Sequence, residues 1–304
     1  MKILITGAAG MLASAIISEL EQSGSTIFGE AIELLKGDIH LRVPDIFRID
    51  VSNREEIEDR IVMKKPDFFF HLAAETDVDL CEKNPERADR INYIGTENVA
   101  LLCQKYDIPL VYISTAAVFD GNKPEPYTEF DEPRPANIYG RSKLWGEIAV
   151  QRLLKRYFIV RAGWMVGGWE IDKKFVYKIV KQLQEGKKEI QVVNDKFGSP
   201  TFTGDFARNL LPLIRTKRYG LYHMANTGWG SRYDIALKIV EFMGIEGKVR
   251  VNPVSSEAFP LPAPRPRSEM MLNYHLELIG MNYMPPWEKS LKAYIIANSS
   301  KRGL

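Results

Sequence analysis

Short apolar runs recur through the first half of the chain: KILIT (2–6), STIFG (25–29), DIFRID (45–50), PDFFFHLAA (66–74), IPLVYIST (108–115) and RYFIVRAG (156–163). β-Branched and aromatic residues dominate them, and segments of helical period separate most of them, which predicts strands alternating with helices. Runs such as FFFHLAA and LVYIS carry no in-out alternation. Strands of that kind are buried on both faces, so the pattern predicts an α/β fold, a doubly wound parallel sheet with helices on either side.

After about residue 166 the rhythm changes. KKFVYKIVKQLQEG (173–186), TFTGDFARNLLPLI (201–214) and SRYDIALKIVEFMG (231–244) read as helices, EIQVVND (189–195) as a strand, and residues 249–268 as a proline-rich connection. We therefore expect one unit over 1–165 and a smaller lobe over 166–304, parts of which return to the main sheet. The tail NSSKRGL reads as frayed.

With 304 residues, 45% of them hydrophobic and 26% charged, the chain has room for a large core. Its 41 basic and 39 acidic side chains leave a net charge of +2, giving no electrostatic reason to expect nucleic acid or an anionic membrane as partner. Two cysteines, Cys81 and Cys103, and four histidines, His40, His71, His223 and His275, form neither CxxC nor HxxxH, so no metal is expected. A signal peptide at the N-terminus is disfavoured because Gly7 and Gly10 break the apolar run and Glu19 follows. No run approaches the ~20 apolar residues that span a bilayer, and the expectation is a soluble protein of a reducing, cytoplasmic compartment.

In ILITGAAGMLASAIISEL (3–20) a strand runs into Gly7, Gly10 and Ala13, then into a helix whose Leu12, Ile16, Ile17 and Leu20 share an apolar face. This is a phosphate loop in its working context: Gly7 for the turn, Gly10 for backbone approach to a pyrophosphate, Ala13 for close packing of helix on strand. Gly10, Met11 and Leu12 then offer the helix N-terminus to the anion. No GxxxxGK[ST] occurs, against a P-loop nucleotidase. Glu30, 20 positions after Gly10, suits a ribose 2′-hydroxyl and leans towards NADH, whereas Lys36 and Arg42 in the same connection suit the 2′-phosphate of NADPH. Asp50 and Val51 end the third strand as adenine neighbours, although Asp50 serves equally as a cap for the helix REEIEDRI.

In ANIYGRSKLWGE (136–147) Tyr139 and Lys143 stand four apart and share a helix face. An ammonium beside a phenol favours phenolate and is expected to pull the tyrosine below its usual ~10. Upstream, the strand LVYIST ends in Ser114 and Thr115, at the sheet end where ligands lie. For ketone reduction, Thr115 would bond the carbonyl oxygen, Tyr139 donate the proton and Lys143 orient the nicotinamide ribose.

These motifs resemble the extended short-chain dehydrogenase/reductase family, Rossmann-fold enzymes, and more narrowly its rhamnose-reductase branch. TGAAGMLA, HLAAETDVDLCEKNPERADRINYIGTENVA, ISTAAVFDG, YGRSK, RAGWMVGG, FGSPTFTGDFA, YHMANTG and APRPRS carry the resemblance over nearly the whole chain. It implies NAD(P)H-dependent reduction of the 4-keto group of a nucleotide-linked 6-deoxy sugar, in the branch's usual case dTDP-4-dehydro-L-rhamnose. It implies Thr115, Tyr139 and Lys143 as the catalytic trio, Ala73, Ala74, Glu75 and Thr76 as cofactor lining, and Asn92 as support for the lysine. It further implies Trp164, Pro200, Thr201, Arg265 and Arg267 on the substrate side, the arginines as a fork for the diphosphate and Trp164 packed on the sugar. Homodimers are common in the family.

Where the branch continues after Ser-Thr with Asp-Tyr, this chain has Ala116 and Ala117, which puts the sugar pocket in question. Two other readings stay open. A nucleotide-sugar epimerase or dehydratase would use the same tyrosine with a retained NAD, and a non-catalytic subunit resembling the regulatory subunit of methionine adenosyltransferase would bind dinucleotide only.

Overall fold

The computed structural model describes residues 1–22, 26–30, 46–47, 49–172 and 174–299. Its first half contains β1 (Lys2–Thr6), α1 (Met11–Gln22), β2 (Thr26–Glu30), β3 (Ile46–Phe47), α2 (Arg54–Lys64), β4 (Phe68–His71), α3 (Val78–Lys83), α4 (Pro85–Ala88), α5 (Gly95–Lys105), β5 (Leu110–Thr115), α6 (Ile138–Leu153) and β6 (Tyr157–Ala162). There follow β7 (Trp164–Val166), α7 (Phe175–Gln184), β8 (Glu189–Val193), β9 (Phe197–Gly198), β10 (Pro200–Phe202) and α8 (Thr203–Arg215). The last elements are β11 (Gly220–His223), β12 (Gly230–Ser231), α9 (Arg232–Phe242), β13 (Arg250–Val254), β14 (Ser268–Glu269), α10 (Tyr274–Leu278) and α11 (Trp287–Ser299).

Seven parallel strands form the main sheet in the order β11-β6-β5-β4-β1-β2-β3. The unbroken apolar runs supply both faces. Ile3, Ile5, Phe70, Val111, Phe158 and Val160 pack with α1 and α8, while Leu4, Phe69, Leu110, Tyr112 and Ile159 pack with α2 and α5 on the other side. Chain order reverses between β1 and β4, and it is outside the carboxyl ends of strands at such a reversal that open α/β sheets bind ligands.

A third core joins β7, α7, β8, α9 and α11 through Val166, Val176, Ile179, Ile190, Ile239 and Leu291. One predicted boundary moves. The helix expected from Thr201 begins at Thr203, because Pro200, Thr201 and Phe202 are buried and pair in parallel with Trp164, Met165 and Val166. Proline is tolerated there because it opens the strand.

Local chemistry fixes the helix that carries Tyr139. The Asn137 side chain accepts from the Gly140 N–H at 2.9 Å, capping α6, and its Nδ2 donates to the Pro264 carbonyl at 2.9 Å. The cap therefore also ties the proline-rich segment to the start of α6. Among the described residues no helix is long and apolar enough to cross a membrane.

Candidate active site

The loop after β1 turns through Gly7 at φ 72°, and a Cβ there would sit 2.7 Å from the Ala73 nitrogen. Only glycine satisfies both constraints. The Gly10 N–H donates to the Gly7 carbonyl at 3.0 Å, and Leu12 and Ala13 are buried so that α1 lies close on the sheet. Met11 is half-buried at the start of that helix. Gly7→Ala is expected to lower dinucleotide affinity at least tenfold and to destabilise the fold by about 1–3 kcal/mol. Cofactor titration beside a denaturation curve checks this, and unchanged values in both would sink the assignment of the turn.

Behind the loop runs a buried chain of hydrogen bonds. Thr96 donates to the Asn92 carbonyl at 2.7 Å, so its oxygen accepts from His71 Nε2 at 3.1 Å. That leaves His71 Nδ1 to accept from the Thr6 hydroxyl at 2.7 Å, while Thr6 itself accepts from the Ala73 N–H at 3.4 Å. His71 is fully buried and neutral, pushed down to about 3 by desolvation and then by the charge of Lys143. The ends of β1 and β4 are pinned together where the ligand crevice opens.

Asn92 sits in a wide helical turn between α4 and α5, fully buried. It accepts from the Glu75 N–H at 2.8 Å and donates to the Glu75 carbonyl and the Ser142 hydroxyl, both at 3.0 Å. Ser142 in turn donates to the Tyr139 carbonyl at 2.9 Å. Asn92 thus reaches the lysine through its neighbour in the helix. Ala73 is buried and Ala74 and Glu75 half-buried, Glu75 paired with Arg87 at 2.9 Å, while Thr76 is exposed. Val51 is buried. Asp50 accepts from the Ser52 N–H and hydroxyl at 2.9 and 2.8 Å, and the cap of α2 is Asn53, not Asp50. The side chain of Glu30, with Lys36 and Arg42, lies outside the described residues.

Thr115, the last residue of β5, accepts from the Ala117 N–H at 3.1 Å and keeps part of its surface open. Tyr139 is half-buried and feels Thr115 as a hydrogen-bond partner. Lys143 is 3% exposed, donates to the Ile113 carbonyl at 2.8 Å and lies 4.2 Å above the centroid of the Tyr112 ring. The structure therefore gathers Thr115, Tyr139 and Lys143 at the carboxyl end of β5. The expected lowering of the phenol is not found. Burial pushes Tyr139 up to about 12 against the pull of Thr115, and burial pushes Lys143 down to about 7 against the pull of Glu147. Ala116 and Ala117 are buried, Ala116 against Ala225 and Met271.

On the expected substrate side the arrangement differs from a free platform and an arginine fork. Trp164 donates from Nε1 to Glu269 at 2.6 Å and carries the Arg232 guanidinium 3.6 Å above its ring. Gly198 closes on the same ring so tightly that a Cβ would come within 2.4 Å of Cε2. Arg232 and Gly198 thus both pack against the indole. Pro200 and Thr201 are buried, the Thr201 hydroxyl accepting from the Gly163 N–H at 3.0 Å. Arg265 is committed to Asp79 at 2.8 Å and to the Ala263 carbonyl at 2.9 Å, whereas Arg267 is exposed. Sequence reasoning passed over Arg232, Glu269 and Tyr112. The capping box of Ser231 and Asp234 does place Arg232 at a helix start, but no spacing announces that Trp164 lies under it.

A family model described as the RmlD substrate binding domain matches residues 1–299. The chain belongs to that family. A relative, the dTDP-4-dehydrorhamnose reductase of Mycolicibacterium smegmatis, is 33% identical over 298 residues, covering 97% of this chain and 85% of the relative. The solved dTDP-4-dehydrorhamnose reductase of Clostridium acetobutylicum superposes with a TM-score of 0.89 at 37% identity, covering 98% of this chain and all of that one. That of Bacillus anthracis, solved in complex with NADP, gives 0.87 at 38% identity over 97% and 99% of the two chains. The RmlD match spans both the phosphate loop and the strands around Trp164, so the Arg232 and Glu269 arrangement sits inside the family fold.

Proposed function

We propose that the protein is an oxidoreductase that reduces the 4-keto group of a nucleotide-linked 6-deoxy sugar, dTDP-4-dehydro-L-rhamnose to dTDP-L-rhamnose, with NADPH or NADH. The observation that carries this reading is Tyr139 beside Thr115 at the end of β5, next to a glycine loop shaped for a dinucleotide. The residues fit that cofactor: a side chain at Gly7 would collide with Ala73, and the start of α1 presents backbone N–H groups. Gly7, Gly10, Met11 and Leu12 would hold its pyrophosphate, with Val51 and Ala73 to Thr76 along its length. When bound, the reduced nicotinamide supplies the hydride.

The chain's own groups do the rest. Thr115 donates its hydroxyl to the substrate carbonyl oxygen and fixes where charge develops. Tyr139, held protonated by burial, passes its phenolic proton to that oxygen as it becomes an alkoxide, a far stronger base. Lys143 offers its ammonium to the nicotinamide ribose and favours the phenolate that remains. Residues 166–304 would supply mainly the substrate side, while the retained Thr115, Tyr139 and Lys143 argue against a purely binding subunit. A cytoplasmic setting suits the buried free thiols of Cys81 and Cys103. A homodimer would cover the exposed Ile94, Trp145 and Ile148 beside α5 and α6.

The test is loss of reduced-nicotinamide absorbance when purified protein meets NADPH or NADH and freshly generated dTDP-4-dehydro-L-rhamnose, with an unrelated ketone as control. Substrate-dependent oxidation is expected and ranks the two cofactors. An inert mixture would remove the reductase reading. NAD that stays bound through purification and returns to its starting state each cycle would replace it with an epimerase or dehydratase.

A further inference from the structure

The first turn of α6, which carries Tyr139, is held by a group outside the helix. Its leading amides have no partner within the helix, and two of them donate to side chains: Gly140 to Asn137, and Ile138 to Oε2 of Glu82 at 3.0 Å. Glu82 is a half-buried carboxylate on α3, 56 residues earlier in the chain, and its charge suits the positive end of the helix. The same turn has no slack elsewhere. A Cβ on Gly140 would come within 2.0 Å of the Ala117 carbonyl oxygen and 3.0 Å of the Pro135 Cβ. Ala117 is also the residue whose N–H donates to Thr115 at 3.1 Å. One close contact therefore seats the start of α6 on the segment that holds Thr115, and Glu82 keeps it there.

The support is itself fixed. Asp77 caps α3, accepting from the Asp79 and Leu80 N–H groups at 3.0 Å each. Asp79 accepts from the Ala263 N–H at 3.1 Å and from Arg265 at 2.8 Å, while Asn137 Nδ2 donates to the Pro264 carbonyl between them at 2.9 Å. Hydrogen bonds thus join α3, the start of α6 and the proline-rich segment in a closed triangle. Cys81, the neighbour of Glu82, is buried and near enough to Tyr139 to act on its phenol. Tyr139 follows Ile138 directly, so movement of the braced amide moves the backbone from which the phenol projects.

We propose that Glu82 is a positioning residue for the proton transfer: by holding the Ile138 N–H it fixes the aim of Tyr139 relative to Thr115. The proposal rests on the reading of Tyr139 as the proton donor. What it asks of Glu82 is reach more than charge, an oxygen at hydrogen-bonding distance from one amide. Reacting geometry is steep, a displacement on the order of 1 Å costing about 10²-fold in rate. Turnover should therefore respond to Glu82 where binding does not.

The experiment compares wild type with Glu82→Ala, Glu82→Gln and Glu82→Asp in the cofactor-loaded full chain, by turnover and by amide hydrogen exchange from Asn137 to Lys143. Glu82→Ala is expected to lower kcat about 10- to 100-fold with KM for the nucleotide sugar and for NADPH within about twofold of wild type. The solvent isotope effect on kcat should rise, because proton transfer has become the slower step. Glu82→Gln keeps an acceptor at the same reach and should recover most of the loss, whereas Glu82→Asp keeps the charge one methylene short and should recover less. Should the alanine variant not fold, that order still decides, since an aspartate variant faster than the glutamine variant would reduce Glu82 to a charge at a helix end and overturn the proposal. A kcat of Glu82→Ala within about twofold of wild type would overturn it too, as would a loss shared by KM with an unmoved isotope effect, the mark of a merely structural role. Exchange needs no turnover: it should quicken at the start of α6 in Glu82→Ala, and an unchanged rate would deny the hold itself. A wild-type chain that reduces no keto sugar, with exchange quickened in the variant, would refute the reductase reading and keep the hold on α6. A reducing wild type with an unaffected Glu82→Ala would refute the positioning role alone.

Discussion

Tyr139→Phe is expected to lower turnover about 10²- to 10⁴-fold, the contribution of a positioned general acid, with the fold and the binding of nucleotide sugar retained. The ring stays and only the hydroxyl is lost. Because burial holds the phenol near 12, the donor is fully protonated across the neutral range, so its own titration does not shape the pH profile there. The group that does is Lys143. Burial brings it to about 7, so its ammonium is present below that pH and lost as pH rises through it in the ligand-free protein. The ratio kcat/KM reports free-enzyme ionisations, and it should decline above about pH 7 in wild type. Lys143→Met should flatten that limb and be slow at every pH. Tyr139→Phe turning over at near the wild-type rate would mean that another group protonates the sugar. A falling limb that survives in Lys143→Met would assign the ionisation elsewhere.

How far the site could be read beforehand depends on whether its parts are neighbours in sequence. The phosphate loop and the Tyr139–Lys143 pair are local: a turn and a helix face bring their members together, so spacing is enough. The sheet was legible for the same reason, since strands buried on both faces leave unbroken apolar runs such as FFFHLAA. What spacing does not encode is contact across the fold. Arg232 meets Trp164 only because β7 and α9 share a core, and His71 meets Thr6 only because β4 pairs with β1. The expected lowering of Tyr139 failed on similar grounds. A linear motif supplies the neighbouring lysine but not the depth of burial, and here desolvation outweighs the hydrogen bond with Thr115. Trp164 shows the same limit: its place after β6 is plain in the sequence, whereas Arg232 and Gly198 come against its ring from far away in the chain.

Glu147→Gln should destabilise the fold by about 3–5 kcal/mol. Glu147 and Arg161 form a two-pronged pair at 2.9 and 2.6 Å, with side chains only 1% and 4% exposed. The pair joins α6 to β6, and Arg161 continues over the Phe119 ring and to His223 Nε2 at 3.4 Å. Its remaining partner cannot compensate, because His223 is held neutral by burial, near 3. Losing the carboxylate therefore strands a guanidinium away from water, whereas replacing both members, Glu147→Leu with Arg161→Met, removes the stranded charge and should recover much of the loss. Urea denaturation of the two variants and wild type checks this, with an unchanged slope showing that the midpoint shift is stability. Glu147 also favours the charged form of Lys143, one helical turn away. In Glu147→Gln that ammonium should be lost at lower pH, moving the falling limb of kcat/KM to the acid side. A wild-type midpoint in the single variant would deny that the pair is uncompensated in the core, and an unmoved limb would separate it from the catalytic lysine.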